Sequence, residues 1–338
     1  MKKIAFFEVE DWETEYFKKK FTDFELQFYK EPLNKDDIPK DASAEGISVF
    51  VSSKVGEEVI KKFPNLKIIT TRSTGFDHID AAAAKKHNVA VSYVPYYGMN
   101  TVAEFTMGLI LTLSRKLYKA IYRVKEQDIF NYQGLKGFDL KGKTLGVIGT
   151  GNIGRYVIKM AKGFEMNVIA YDAYPNKALE SELGFKYVDK LETLLGHSDI
   201  ITLHVPLLPT TQHLINKDTI DFIKKGAYLV NTSRGEVIET EALALALKKG
   251  ILAGVALDVL EVEGEIQNEA AFLKYGHPNE HDLKAFLASH ILMDMDNVVV
   301  TPHTAFNTQE ALERILDTTI DNIRGYFAGK PVNQIPQK

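Results

Sequence analysis

The sequence of 338 residues contains no cysteine, which excludes disulfide bonds, thiolate catalysis and cysteine-ligated metal sites. It also lacks any apolar run near the roughly eighteen residues that a membrane span requires. Glu8, Glu10 and Asp11 interrupt the short apolar start too early for a signal peptide. A basic excess is missing too, because the net charge is -4, and this argues against binding driven by nucleic-acid phosphates. We therefore expect a cytoplasmic protein that binds neither membranes nor nucleic acids.

What the sequence does contain is an alternation of short apolar runs with helical patterns, which predicts parallel β-sheets with crossover helices. Its length suggests about two domains. One long helix is predicted from residue 100 to about residue 125, and residues 264–296 are predicted to form a polar insertion with a helix at 282–292. The predicted strands span residues 4–7, 25–29, 47–51, 67–71, 89–92, 145–149, 167–171, 200–205, 227–230, 253–257 and 297–301.

The most specific pattern is G-x-G-x-x-G at Gly149, Gly151 and Gly154, between a predicted strand and a predicted helix. Gly149 permits a tight turn, Gly151 lets the backbone approach a pyrophosphate, and Gly154 lets the helix pack closely on the strand. The helix start then offers unpaired N–H groups to the phosphates. The pattern predicts a dinucleotide site. The alternative is a glycine-rich turn in another α/β protein.

An acidic residue, Asp172, follows Gly154 by eighteen positions at the end of the next predicted strand. A carboxylate at this place can accept hydrogen bonds from both hydroxyls of an adenosine ribose, and it repels a 2′-phosphate. No arginine stands in the three residues that follow it. The expected cofactor is therefore NAD rather than NADP, unless Asp172 only caps a surface turn.

Polar residues follow three later strands, at the sheet edge where ligands of open α/β sheets bind. Arg234 follows residues 227–230, and an arginine there can hold a carboxylate with two hydrogen bonds. A row of acidic residues follows 253–257, and His303 follows 297–301. Histidine beside a carboxylate suits proton transfer near neutral pH. Taken alone, Arg234 is equally compatible with a structural ion pair.

Together these motifs strongly resemble the NAD-dependent D-2-hydroxyacid dehydrogenase family, over nearly the whole chain. The resemblance implies two doubly wound parallel-sheet α/β domains, Rossmann-like and flavodoxin-like, with a cleft between them. It implies a discontinuous substrate domain of residues 1–98 plus 305–338 and an NAD-binding domain of residues 99–304. The matching stretches are residues 71–80, 100–104, 149–154, 172, 204–206, 231–235, 256–259 and 301–303.

The same resemblance implies the roles of individual residues. The catalytic residues are expected to be Arg234, Glu263 and His303, with Glu261 as a rival for the glutamate, and no metal is expected. The residues implied in NAD binding are Gly149, Gly151, Asn152, Ile153, Gly154, Asp172, His204, Val205, Pro206, Thr211, Thr232, Ser233, Arg234 and Asp258. Those implied in substrate binding are Thr74, Gly75, Tyr97, Arg234, His303 and Phe306.

Two aromatic residues, Tyr97 and Phe306, resemble the D-lactate branch of the family, in which such residues line the substrate pocket. Pyruvate and D-lactate are the favoured substrates, and larger aliphatic 2-keto acids of the D-2-hydroxyisocaproate type are the alternative. Both side chains could instead be packed aromatics. An NAD-sensing corepressor of the same fold is a further alternative. By resemblance the chain is expected to form a homodimer, with the long helix from residue 100 contributing apolar surface.

Overall fold

The computed structural model describes residues 1–263 and 280–335, with side chains from residue 283 onward in the second range. The chain divides into two compact units. One comprises Met1–Tyr97 and Thr308–Lys338, and the other comprises Gly98–Asn307. The assignment of substrate binding to the first unit and NAD binding to the second stays a prediction of the sequence at this point.

The first unit is built on a five-stranded parallel sheet with the order β2-β1-β3-β4-β5. This order is that of the flavodoxin-like doubly wound sheets. Each predicted strand of this part of the chain is present. The elements are β1 (Lys3–Phe6), α1 (Asp11–Lys20), β2 (Glu25–Phe28), β3 (Gly46–Val49), α2 (Glu57–Lys62), β4 (Ile68–Thr71), α3 (Ala81–Lys86) and β5 (Ala90–Ser92).

The end of the chain completes this unit. Helix α11 (Gln309–Phe327) begins after Thr308, whose hydroxyl accepts the N–H of Ala311, and it packs against β4. Its buried Leu316, Ile320 and Ile323 recur at helical spacing and join the apolar cluster around β1 and α1. After the helix, the N–H of Ile335 donates to the carbonyl of Val91, so the tail extends along the edge strand β5.

The second unit is built on a seven-stranded parallel sheet with the order β12-β11-β10-β9-β6-β7-β8. The predicted fold class of two doubly wound parallel-sheet units is confirmed. The elements are α4 (Met99–Arg115), α5 (Leu117–Gln127), β6 (Thr144–Ile148), α6 (Asn152–Gly163), β7 (Asn167–Tyr171), α7 (Ala178–Leu183), β8 (Lys186–Tyr187), α8 (Leu191–His197), β9 (Ile200–Leu203), β10 (Ala227–Asn231), α9 (Thr240–Lys248), β11 (Leu252–Leu257), α10 (Glu280–Met293) and β12 (Val298–Val300).

Two predictions for this unit were wrong. The sequence predicted six strands, but β8 is a seventh, and its two residues are too short to produce a period of two. The sequence also predicted one helix through residue 125, but the helix is interrupted at Lys116, which has a left-handed φ of 50°. The carbonyl of Ser114 there accepts the N–H of Phe138 at 3.0 Å, and this contact replaces the bond that would continue the helix.

The stretch predicted as an insertion is partly described. Helix α10 covers the predicted helix at 282–292, and residues 264–279 of the same prediction lie outside the described residues. Among the helices that the structure describes, none is both long enough and apolar enough to cross a membrane.

Candidate active site

The glycine loop between β6 and α6 has the geometry that its sequence predicts. Gly149 has φ +92°, and a Cβ there would lie 2.7 Å from the carbonyl oxygen of His204. A Cβ on Gly154 would lie 2.1 Å from the carbonyl oxygen of Gly149, so only glycine lets α6 start so close to the loop. A Cβ on Gly151 would meet nothing within 4 Å. The exposed Gly151 backbone and the start of α6, at Asn152 and Ile153, thus leave room for a phosphate group.

Asp172 follows β7 beside this loop and is already held by three donors. Its Oδ2 accepts the N–H and the hydroxyl of Thr150 at 2.7 and 2.8 Å, and its Oδ1 accepts the N–H of Tyr174 at 2.9 Å. Burial alone would raise the pKa of Asp172, but these hydrogen bonds outweigh it and hold the pKa below its ordinary value. The carboxylate is therefore fixed and ionised next to the glycine loop, which fits the ribose of NAD.

His204, predicted to contact NAD, follows β9 and is partly buried. Desolvation of its ring lowers the pKa of His204 to about 3, so the ring is neutral. Its Nε2 lies 3.0 Å from the hydroxyl of Thr202, and its Nδ1 has no hydrogen-bond partner among the described residues. The predicted NAD contact Thr211 closes the loop that begins with Val205 and Pro206, because its hydroxyl donates to the carbonyl of Pro206 at 2.6 Å.

The loop after β10 presents Arg234. Asn231 accepts the N–H and the hydroxyl of Ser233, and its amide donates to the carbonyl of Arg234, which fixes the turn. The Arg234 guanidinium donates only to the carbonyl of Ser233 at 2.7 Å, and it forms no ion pair within the part of the chain that the structure describes. Thr232 is buried against the hydroxyl of Thr106. The guanidinium therefore retains donors for an anionic ligand.

Asp258, at the end of β11, organises the histidine loop. Its carboxylate is almost fully buried, and it accepts the hydroxyl of Thr301 and the N–H groups of Thr304 and Ala305. Burial raises the pKa of Asp258 above its ordinary value, although these hydrogen bonds oppose the shift. Its carbonyl accepts the N–H of His303 at 2.8 Å. These contacts are structural, and a contact of Asp258 with NAD stays a prediction.

Glu263 and His303 meet at the same edge of the sheet. The Nδ1 of His303 lies 2.8 Å from Oε2 of Glu263, and the other carboxylate oxygen accepts the N–H of Leu260 at 3.0 Å. The two side chains are 29% and 35% exposed, so each is within reach of solvent or a ligand. His303 has a left-handed φ of 49°, an uncommon conformation that histidine adopts more readily than most residues.

The alternative glutamate, Glu261, contacts a different histidine. Its Oε1 lies 2.6 Å from Nε2 of His213, and its Oε2 accepts the N–H and hydroxyl of Thr240. Glu263 rather than Glu261 contacts His303, and the catalytic role implied for Glu263 stays a prediction. The ring of Phe306 lies 6.4 Å from the His303 ring, nearly perpendicular to it.

The predicted substrate residues Thr74, Gly75 and Tyr97 belong to the other unit. The hydroxyl of Thr74 donates to the carbonyl of Val94 at 2.8 Å, and the carbonyl of Gly75 accepts the hydroxyl of Ser73. The carbonyl of Tyr97 accepts Nε of Arg314 at 2.7 Å. The loops that carry these residues are thus held in place, and their contact with a substrate stays a prediction.

Sequence reasoning missed several residues of the site. Tyr187 bonds the hydroxyl of Thr150, which in turn bonds Asp172. Arg155 lies one residue beyond the glycine motif and donates to the side-chain oxygen of Asn152 at 2.6 Å. The position of Arg155 in the first turn of α6 was visible in the sequence. The pairing of His213 with Glu261 joins positions 48 residues apart, and no local sequence pattern indicates it.

Comparison with known proteins identifies the family. Residues 107–305 match the family model described as "D-isomer specific 2-hydroxyacid dehydrogenase, NAD binding domain". Those residues contain the glycine loop, Asp172, Arg234, Glu263 and His303. The match agrees with the geometry of the loop, and the cofactor is NAD.

Similar proteins extend the match over nearly the whole chain. D-lactate dehydrogenase of Escherichia coli is 36% identical over 309 residues, which cover 91% of each chain. The structure of D-lactate dehydrogenase from Aquifex aeolicus, solved with NAD and lactic acid, has a TM-score of 0.83 at 36% identity and covers 97% of this chain and 96% of its own. The structure of D-2-hydroxyisocaproate dehydrogenase has a TM-score of 0.85 at 32% identity, covering 98% and 99%. This chain therefore belongs to the D-isomer specific 2-hydroxyacid dehydrogenases, on the branch that includes the D-lactate dehydrogenases.

Proposed function

We propose that this dehydrogenase reduces pyruvate to D-lactate with NADH, and that Arg234, Glu263 and His303 carry out the chemistry. The observation that carries the proposal is the 2.8 Å contact between His303 and Glu263. The three residues follow β10, β11 and β12, which are neighbours in the sheet, so they lie along one continuous carboxyl edge. That edge is where ligands of doubly wound sheets bind.

Each residue has a distinct task in this reaction. The Glu263 carboxylate lies 2.8 Å from Nδ1 of His303 and fixes Nδ1 as the nitrogen that faces it. The proton on Nε2 is then the one that His303 donates to the keto oxygen. Arg234 binds the substrate carboxylate with its planar fork and polarises the keto oxygen. NADH, when bound, supplies the hydride that the keto carbon accepts.

NAD fits the residues at the other end of the same edge. The glycine loop has no side chain where a pyrophosphate would approach, and Arg155 adds a cation at the start of α6. The ionised Asp172 would accept the ribose hydroxyls and repel a 2′-phosphate. We therefore expect NADH to be preferred over NADPH.

The preference for a small keto acid rests on Phe306 beside His303. An aromatic ring near the proton donor limits the space for a long substrate side chain, which favours pyruvate. The similarity to D-2-hydroxyisocaproate dehydrogenase supports a larger aliphatic keto acid as the second candidate. The same similarities give no support to an NAD-sensing corepressor.

A panel of 2-keto acids, from pyruvate to branched six-carbon acids, assayed with NADH and NADPH tests this function. We expect pyruvate to give the highest kcat/KM. If no 2-keto acid is turned over, the enzymatic reading fails, and if a branched acid ranks first, the substrate proposal fails. In Phe306→Ala the ranking should move toward branched acids, and an unchanged ranking would place Phe306 outside the pocket.

We further propose that the chain forms a homodimer through α5. This helix lies wholly within the described residues and buries none of its side chains, although apolar residues recur along it. Several exposed apolar side chains on one helix are typical of a protein interface. Sedimentation that finds only a 38.0 kDa species would exclude the dimer. The exposed apolar side chains of α5 are Leu117, Tyr118, Ile121, Tyr122 and Val124.

A further inference from the structure

A second carboxylate–imidazole pair, Glu261 with His213, lies two residues along the chain from Glu263. The two side chains meet at 2.6 Å, and the Glu261 side chain is only 4% exposed. Within the described residues, three groups contact its carboxylate: Nε2 of His213 at 2.6 Å, the N–H of Thr240 at 3.1 Å and the hydroxyl of Thr240 at 2.7 Å. A buried carboxylate with every oxygen engaged is suited to holding a structure in place.

This pair joins three separate segments of the chain. Thr240 begins α9, and Glu261 lies on the loop after β11. His213 belongs to the segment between β9 and β10, where its N–H donates to the carbonyl of Glu236 at 2.8 Å. Removing Glu261 would therefore release the β11 loop from both of the segments beside it.

The Arg234 loop touches the same turn from another side. A Cβ on Gly235 would lie 2.0 Å from the carbonyl carbon of Leu260 and 2.4 Å from the nitrogen of Glu261. The peptide between Leu260 and Glu261 is therefore packed against the Gly235 backbone with no side chain between them. Contact with Gly235 and the bonds of Glu261 together fix the position of this peptide.

The Leu260 peptide in turn orients the Glu263 carboxylate. Oε1 of Glu263 accepts the N–H of Leu260, and Oε2 faces His303. A shift of the turn would rotate or withdraw the oxygen that faces the imidazole. The position of Leu260 is thus coupled to the contact between Glu263 and His303.

The charges around the pair are consistent with a fixed anchor. Burial alone would raise the pKa of Glu261, but hydrogen bonds from Thr240 and His213 and the charge of His213 hold it below its ordinary value. The neighbouring Glu236 has a raised pKa, first because of burial and also because of the charges of Glu263 and Glu261, opposed by Arg234. Glu261 therefore stays ionised and bonded over the range in which the enzyme would work.

We infer that Glu261 and His213 are positioning residues, which hold the turn from Leu260 to Glu263 so that Glu263 meets His303. The inference rests on the proposed role of Glu263 and His303 in proton transfer. Neither Glu261 nor His213 needs to touch substrate or cofactor. They affect the reaction through the position of Oε2 of Glu263, the oxygen that faces His303.

The test is the pH profile of kcat/KM for pyruvate reduction in Glu261→Ala. Loss of the anchor should weaken the contact between Glu263 and His303 and move the descending limb of this profile to lower pH, by less than Glu263→Gln moves it. NADH binding, followed by fluorescence, should change less than about twofold because the glycine loop is not involved.

Two further variants separate position from charge and from folding. Glu261→Gln keeps an oxygen for Thr240 and places an amide of the same shape beside His213, so its profile should lie close to that of the wild type. His213→Asn keeps a residue that accepts the left-handed φ of 49° and should reproduce part of the shift even if Glu261→Ala does not fold. If Glu261→Gln shifts as far as Glu261→Ala, charge rather than position is responsible and the inference is wrong.

Asp199→Ala is the matched control. Asp199 also accepts a backbone N–H, that of Thr144, and pairs with a cation, Lys224, but at the amino ends of the strands in the same sheet. We expect it to lower stability without moving the profile. Glu263→Gln is measured in parallel. If its profile does not move, the proposed function fails, whereas a shift in Glu263→Gln without one in Glu261→Ala or His213→Asn overturns only the positioning role.

Discussion

The two ends of the carboxyl edge of the second sheet are built in different ways. The nucleotide end, after β6 and β7, depends on the backbone of three glycines. Gly149 has φ +92°, Gly154 lets α6 start close to the loop, and Gly151 leaves room for a phosphate group. The end that we propose to be catalytic, after β10 to β12, depends on side chains that reach each other from separate loops. Backbone recognition tolerates little change in the glycines, whereas a side-chain pair can be altered while the fold persists.

The comparison predicts that changes at the catalytic end impair turnover and leave nucleotide binding intact. The largest effect is expected in His303→Asn, because asparagine tolerates the left-handed backbone but cannot donate the proton. Turnover should fall by roughly 10²–10⁴-fold, the usual contribution of a general acid. The dissociation constant of NADH, measured by fluorescence titration, should stay nearly unchanged. A large loss of NADH affinity would mean that the two ends are not separable.

Arg234→Lys keeps the charge but removes the planar fork. We expect the variant to lose about 2–4 kcal/mol of transition-state stabilisation. The value of kcat/KM for pyruvate should fall accordingly, through both kcat and KM. Steady-state kinetics over a range of pyruvate concentrations measures both terms. Activity close to that of the wild type would assign the carboxylate clamp to another residue.

Glu263→Gln preserves shape and removes the negative charge 2.8 Å from the His303 ring. The descending limb of the reduction profile should move to lower pH, because an opposite charge at contact distance is lost. Oxidation of D-lactate needs the neutral ring, so its ascending limb should move in the same direction. Rates measured in both directions between pH 5 and pH 9 provide the check, with the pH range chosen as roughly that of histidine titration. Opposite movements of the two limbs would contradict the acid–base pair.

Changes at the nucleotide end are expected to have the smallest effect on the rate of keto-acid reduction. We expect the wild type to prefer NADH over NADPH by at least about tenfold, and Asp172→Ala to narrow this ratio while kcat with NADH changes little. The hydrogen bonds from Thr150 and Tyr174 keep the pKa of Asp172 below its ordinary value, so its charge persists as pH falls until that lowered pKa is reached. The NADH dissociation constant should therefore hold down to about pH 5. Wild-type use of NADPH equal to NADH would contradict the role of Asp172.

The two carboxylate–imidazole pairs, Glu263 with His303 and Glu261 with His213, also differ from each other. Glu263 and His303 are partly exposed, so they can meet a substrate, while Glu261 is almost fully buried and saturated by donors. The residue types and contact distances are alike. Accessibility and the number of hydrogen bonds separate the pair proposed to transfer protons from the pair proposed to hold a loop in place.

The sequence by itself determined the parallel α/β class, the glycine loop and Asp172, because these depend on local periodicity and on spacings within one βαβ unit. Arg234 and His303 could be singled out for a related reason, since each lies within three residues of the end of an apolar strand, and their roles stay predictions. The family resemblance implied Glu263 with Glu261 as a rival, but only the tertiary structure shows which glutamate meets His303, because the two differ by two positions and their partners lie 48 and 40 residues away. It also decided the break at Lys116 and the strand β8, since the bond from Phe138 to Ser114 and a two-residue pairing have no local signal. Contacts between distant segments are set by packing of the whole unit, and a one-dimensional pattern does not record them.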